Sequence, residues 1–266
     1  MTYARLSRPS RFWISTAAVF GLAAMLAVVP PGLRAQGGND RNGDFESARA
    51  RMIETIQARA RAAAPRTGVP AIDRRVLDAM VAVPRHAFVP APLAPYAYSA
   101  TPLPLTQGQN LASPYIVALM THLAEIAPGD RVFETGTGAG YHAAVLAELG
   151  AEVVSVEVLP ALANRARANL APFGPRRIET HIADGYYGWP KGAPYDAILV
   201  KEALDHLPEP LVAQLAPGGR LVLPLGPLDG RQNLTVVTKS PEGEGTLERR
   251  RVLPVRFSPL QGGQRI

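Results

Sequence analysis

From residue 129 onward the chain alternates short β-rich apolar runs with segments of helical spacing. The runs RVFET (131–135), EVVSVE (152–157), RIETHIAD (177–184), DAILVKE (196–202) and GRLVLPL (219–225) have strand length. Helix-like segments over 140–149 and 159–170 separate the first three. This order predicts βαβ units, hence a mostly parallel sheet covered on both faces. NLTVVTKS (233–240) and ERRRVLPVRFSPL (248–260) follow without a strong helix between them, which predicts an antiparallel hairpin at the sheet edge and seven strands altogether. The fold class expected is therefore α/β and Rossmann-like, with N-terminal helices added.

Those helices are legible upstream. Met52, Ile53 and Ile56 recur at helical spacing among arginines and predict an amphipathic helix over 47–64. A second helix is expected over 72–83, with Val76, Leu77, Met80 and Val81 on one face and Pro84 closing it. GGNDRNGD (37–44) reads as a polar linker. Ahead of it, Arg5, Arg8 and Arg11 precede an uncharged apolar run over 12–29, with a possible cleavage after Ala35. The organisation expected is a signal peptide or membrane anchor (1–35), a linker (36–46), a helical segment (47–100) and the main domain (101–266). Export to the periplasm follows from the cleaved reading and inner-membrane anchoring through 12–29 from the uncleaved one.

Composition changes this picture in two places. The 266 residues carry a net charge of +6, but residues 1–75 hold twelve arginines against five acids, and the remainder sixteen basic against seventeen acidic side chains. The main domain thus has no charge excess to attract a phosphate backbone, which argues against nucleic-acid binding. The absence of cysteine excludes disulfides, thiolate metal sites and a cysteine nucleophile. His142 has no partner in a recognised metal spacing, so no metal is expected. Tyr186, Tyr187 and Trp189 are read as core packing around the third strand rather than a ligand cage.

The candidate chemistry begins at FETGTGAGY (133–141). Gly136, Gly138 and Gly140 follow a G-x-G-x-G spacing, with Thr137 between the first two. This differs from the G-x-G-x-x-G of dinucleotide binders because position 141 is tyrosine. Glycines there allow a tight turn whose N–H groups approach a ligand at a helix start. Glu157 closes the second strand, placed to accept hydrogen bonds from ribose hydroxyls, and Asp184-Gly185 closes the third, placed near an adenine edge. Singly, each could be turn chemistry or a solvated strand end. In this order they define a ligand site at the carboxyl ends of consecutive strands. Glu134, two residues before the first glycine, suits an ammonium, which favours S-adenosylmethionine over a pyrophosphate cofactor.

Ahead of that motif lies the polar stretch PLTQGQNLASPY (104–115). Together with VLDAMVAVPRHAFV, VFETGTGAGYHAAVLAELG, ADGYYGWP, YDAILV, GGRLVLPLG and VRFSPL, it resembles the protein-L-isoaspartate O-methyltransferase family over roughly residues 70–262. The resemblance implies transfer of a methyl group to the free α-carboxylate of isoaspartyl residues in damaged proteins. It implies that 104–115 lies over the methyl donor and helps enclose the substrate carboxylate; Gln109, Lys201 and Ser258 are expected toward the substrate, and a monomer is expected. The family pattern there is approximately P-I-G-x-G-Q-T-I-S-x-P, so its serine falls on Ala112, its threonine on Asn110 and a glycine on Thr106. Ser113 stands one place later. After the fourth strand the family tends to T-A-A, where this chain has Lys201, Glu202 and Ala203. The resemblance therefore implies that Asn110, Ala112 and Ser113 occupy the catalytic stretch, with Asn110, Ser113 or Lys201 as substitutes for the missing hydroxyl. A different carboxylate or small-molecule acceptor, or a binding module without turnover, remains open at this stage.

Overall fold

The computed structural model describes residues 41–106, 108–173, 177–242 and 245–262. The expected signal or anchor over 1–35 lies outside the described residues. Among the described residues no helix is long and apolar enough to cross a membrane.

The first helix, α1 (Arg41–Thr67), starts six residues before the expected position, so the stretch read as a linker is helical from Arg41 onward. Two features extend it. Asp44 places an acid in the first turn, where the helix dipole favours it, and Phe45 stacks on His86 at 4.0 Å. Gly68, at φ 69°, ends the helix by donating its N–H to Ala64 O. The second helix, α2 (Arg74–Ala82), begins where the Asp73 carboxylate accepts from the Arg75 N–H at 2.7 Å. Its buried face is Val76, Leu77, Ala79 and Met80, whereas Val81, expected on that face, is 39% exposed. Ala79 takes its place because the i, i+3, i+4 set from Val76 reaches 79 and 80.

A small antiparallel pair follows, β1 (Leu103–Pro104) with β2 (Asn110–Leu111), and then α3 (Pro114–Ala124). The main sheet contains β3 (Arg131–Thr135), β4 (Glu152–Glu157), β5 (Ile178–Ile182), β6 (Tyr195–Leu199), β7 (Leu215–Leu225), β8 (Gln232–Lys239) and β9 (Leu247–Val255). Their order is β5-β4-β3-β6-β7-β8-β9. The first five are parallel, and β8 and β9 run antiparallel at one edge, as the strand pattern predicts. The intervening helices are α4 (Tyr141–Glu148), α5 (Pro160–Leu170) and α6 (Glu209–Gln214).

Strand alternation sends neighbouring residues into two separate cores. Val132, Val153 and Val222 join the core built with α1, α2, α3 and α4. Phe133, Val154 and Leu221 join the opposite one, with Tyr195, Leu211 and Leu260. Trp189 and Tyr186 pack against this second core, and Trp189 stacks on His181 at 3.9 Å. Tyr187 departs from the expected packing: it is 56% exposed, because the Gly185–Tyr187 helical turn directs it outward.

Candidate active site

The strand order sets the site. The carboxyl ends of β5, β4, β3 and β6 lie side by side, and each is followed by a loop that carries one of the candidate residues. After β3 the chain turns through Gly136 and Gly138, both at φ 57°, and Gly140 at φ 91°, a region that side chains with a Cβ avoid. Gly140 serves packing: a Cβ there would press on the Leu170 side chain at 3.0 Å. At the end of β4, Glu157 is held by the glycine turn itself. The Gly138 N–H donates to Glu157 Oε2 at 2.9 Å, and the Leu159 N–H donates to Oε1 at 3.0 Å. Each carboxylate oxygen keeps a lone pair for a ligand hydroxyl. After β5, Asp184 caps the next helical turn by accepting from the Tyr186 N–H at 2.9 Å, and its carboxylate lies against Gly262, where a Cβ would collide with it.

These loops open on one cavity of about 510 Å³. Its walls include Gly136, Thr137, Gly138, Glu157 and Gly185. Gln109, Asn110, Ala112, Ser113, Lys201 and Ser258 line the same cavity. Most of the residues proposed from sequence thus converge on a single space. Glu134, Gly140 and Asp184 do not line it.

Glu134 is the principal departure. It is wholly buried; Ser155 Oγ donates to its Oε1 at 2.7 Å and Lys201 Nζ donates to its Oε2 at 2.8 Å. Thr137 and Ser155 hydroxyls meet at 2.6 Å and extend this network toward the glycine turn. Lys201 is consequently paired with a buried carboxylate. Glu202, unlike Glu134, lines the cavity together with Glu157; it accepts from the Thr135 hydroxyl and occupies the space directly over Gly136. Burial pushes Glu202 up to about 7, against the lowering effects of Thr135 and Lys201 and with the raising effects of Glu157 and Glu134. The sequence marks Glu202 only as an unusual residue after the fourth strand; nothing in the spacing assigns it a place.

Beneath the polar loop lies a second residue that the sequence does not single out. Arg85 is fully buried and donates to Ala97 O at 2.8 Å and to Ala112 O at 2.6 Å, with its guanidinium 4.8 Å from the centre of the Tyr141 ring. It fixes the loop by its main chain, whatever the side chain at 112. Ser113 stands at the N-cap of α3 but makes no capping bond, and its side chain borders the cavity. Asn110 is exposed on β2. His142 is buried against Thr121: that hydroxyl donates to Val117 O at 2.8 Å, so His142 Nε2 donates to it at 2.8 Å. Burial, with Lys201 and Arg85 nearby, pulls His142 well below its usual range and keeps the ring neutral. Two exposed arginines, Arg59 of α1 and Arg256 after β9, also line the cavity.

A cavity large enough for a nucleoside, a glycine turn and a carboxylate held beside it at adjacent strand ends are the arrangement of an S-adenosylmethionine-dependent methyltransferase. Solved structures share this fold. A protein-L-isoaspartate O-methyltransferase aligns with TM-score 0.68 and 26% identity, over 80% of this chain and 66% of that one. The Plasmodium falciparum structure described as a putative protein-L-isoaspartate O-methyltransferase in complex with S-adenosyl-L-homocysteine aligns with TM-score 0.67 at 23% identity, over 82% of this chain and 98% of that one. Residues 65–265 match the protein-L-isoaspartate(D-aspartate) O-methyltransferase family. Among curated relatives, protein-L-isoaspartate O-methyltransferase 2 of Polaromonas sp. is 47% identical over 79% of this chain and 99% of its own length. Protein-L-isoaspartate O-methyltransferase 1 of Cupriavidus necator is 49% identical over 80% of this chain and 82% of its own. The chain belongs to the protein-L-isoaspartate(D-aspartate) O-methyltransferase family, and its cofactor is S-adenosylmethionine.

Proposed function

We propose that this enzyme methylates the free α-carboxylate of L-isoaspartyl residues in damaged proteins, as the first step of their repair. The observation that carries the reading is the shared cavity: Gln109 to Ser113 of the polar loop and the segment around Ser258 line the same space as the glycine turn. Bound there, S-adenosylmethionine supplies an activated methyl group. The acceptor carboxylate is already ionised at neutral pH, so no general base is needed. The work left to the chain is to hold the carboxylate in line and to exclude other nucleophiles.

Glu157 receives the ribose hydroxyls, with the Gly136–Gly138 turn under the methionyl arm and Gly185 near the adenine. Ser113 and Asn110 donate hydrogen bonds to the acceptor carboxylate in place of a hydroxyl at 112. This revises the sequence expectation for Lys201, whose ammonium is engaged by Glu134. Arg59 and Arg256 bring positive charge to the cavity and draw in the peptide. The site is complete within one chain, which supports action as a monomer, and residues 1–35 direct export to the periplasm or hold the enzyme at the inner membrane. Fractionation of cells expressing the full chain tests the last point: recovery in the cytosolic fraction alone would refute it.

The direct assay gives the purified protein labelled S-adenosylmethionine with matched isoaspartyl and aspartyl peptides and reads base-labile methyl ester. Turnover on the isoaspartyl peptide only is the expected result. Cofactor binding without turnover on either peptide would point to another acceptor.

A further inference from the structure

We infer that Glu202 is the carboxylate that meets the ammonium of the cofactor's methionyl arm, and that its ionisation makes cofactor binding proton-linked. The inference rests on the S-adenosylmethionine cofactor and adds a regulation of that same site.

The strand order argues for the location. With ribose at Glu157, at the end of β4, and adenine toward Gly185, after β5, the aminoacyl arm extends the other way, over the ends of β3 and β6. That is where Gly136 and Glu202 stand. Three carboxylates approach this region. Glu134 is wholly buried with both oxygens engaged, by Ser155 and Lys201. Glu157 is fixed by Gly138 and Leu159 at the ribose end. Glu202 remains: its Oε2 accepts from Thr135, while Oε1 lies over Gly136 and has no hydrogen-bond partner among the described residues. A carboxylate oxygen poised over a glycine turn in a cavity wall is an acceptor for an ammonium.

The surroundings set the titration. Lys201 is adjacent but bonded to Glu134 at 2.8 Å, so its charge is shared with a second carboxylate. Glu157 faces Glu202 from β4, and His142 of α4, neutral by burial, contributes no charge. The loop 103–113 and the segment 257–260 carry no ionisable side chain, and Arg256 is the nearest charge on the latter. Asp205 and His206 bond to each other on the surface. Burial, with the two other carboxylates, therefore outweighs Thr135 and Lys201 and pushes Glu202 up to about pH 7 when no ligand is bound. An arriving ammonium favours the ionised form, so binding below that pH expels a proton.

The test is calorimetry of the purified protein with S-adenosylhomocysteine and with 5′-methylthioadenosine, which lacks the aminoacyl arm, from pH 6 to pH 8. Affinity for S-adenosylhomocysteine should fall about tenfold from pH 8 to pH 6, with close to one proton released at pH 6 across buffers of different ionisation heat. Affinity for 5′-methylthioadenosine should stay flat. Glu202→Gln should lose about tenfold or more for S-adenosylhomocysteine at pH 8, and lose the pH dependence, with 5′-methylthioadenosine unchanged. The wild-type proton count needs no variant, so a misfolded Glu202→Gln protein leaves the inference testable. Tight, pH-independent binding of S-adenosylhomocysteine would overturn it alone, as would affinity that rises toward pH 6. Failure to bind either compound would overturn the cofactor assignment together with it.

Discussion

Arg85 Nη2 donates to the carbonyl of Ala112 at 2.6 Å, from a guanidinium with no exposure to solvent. Ala112, where the resemblance places a serine, is thus held by its main chain, which fixes the loop's path independently of the side chain at 112. Hydrogen bonds from a charged donor are worth about 1.5–3 kcal/mol each. Arg85→Met removes two of them and should destabilise the protein by about 3 kcal/mol, read by urea unfolding. It should also raise KM for peptide well above any change in cofactor affinity. Unaltered peptide KM in a folded variant would separate Arg85 from the loop's function.

Ser113 offers a hydroxyl that caps nothing. Ser113→Ala should lower kcat/KM on an isoaspartyl peptide about tenfold, and Ala112→Ser should restore much of it when the two are combined. An unaffected Ser113→Ala leaves Asn110 as the donor, and the same assay on Asn110→Ala then decides.

Lys201 and Glu134 form a pair with side-chain exposures of 15% and 0%. Lys201→Met strands a buried carboxylate and should cost about 3–5 kcal/mol, while Lys201→Met with Glu134→Gln should recover most of the loss. A double-mutant cycle by chemical denaturation measures the coupling. If Lys201 instead served mainly as a substrate cation, the single variant would keep its stability and lose only peptide affinity.

Glu202 makes stability depend on pH in an unusual direction. Its folded value of about 7 lies above the ordinary 4.5, so the native state binds more protons between those two values. The stabilisation is fully present below the lower value and is lost as pH rises through the upper one. Glu202→Gln should therefore gain on the wild type by about 1–3 kcal/mol on passing from pH 4.5 to pH 8 in the absence of ligand. Parallel denaturation curves at the two pH values check this, and a constant difference between the proteins would contradict it.

Arg59 and Arg256 are exposed at the cavity. Arg59→Ala and Arg256→Ala should each raise KM for an acidic peptide several-fold at low salt, with the difference shrinking as salt rises beyond about 0.15 M. Steady-state kinetics across ionic strength distinguishes this from a loss of packing, which salt would not erase.

The sheet was legible because each strand is a short apolar run between breakers, and the antiparallel edge because no helix separates its last two runs. Helix α3 was not, since nine of its eleven residues are buried and a segment apolar on every side shows no period. The start of α1 depends on Phe45 finding His86, a contact between residues 41 positions apart that no local propensity encodes. The glycine turn, and the position of Glu157 at the end of β4, follow from spacing alone. Position in the motif suggests Glu134 as a ligand contact, but strand parity buries it away from the cavity lining. It shares a face with its register partner Ser155 and with Val132, inside the sheet's helix-covered side. Glu202 was visible as a departure from the family, and its place became clear only when β6 delivered it beside Thr135.

The cavity wall draws on residues from Arg59 to Gln261, and the last stretch is stitched in place by Ala203, which donates its N–H to Ser258 O and accepts from the Leu260 N–H. Synthesis from the N-terminus therefore yields the glycine turn long before the wall that closes over it. Until the stretch from Leu253 to Gln261 emerges, a growing chain has the glycine turn but lacks that part of the cavity wall. Occupancy by the cofactor is in this sense a certificate of completed folding, issued by the same enzyme that inspects other proteins for age.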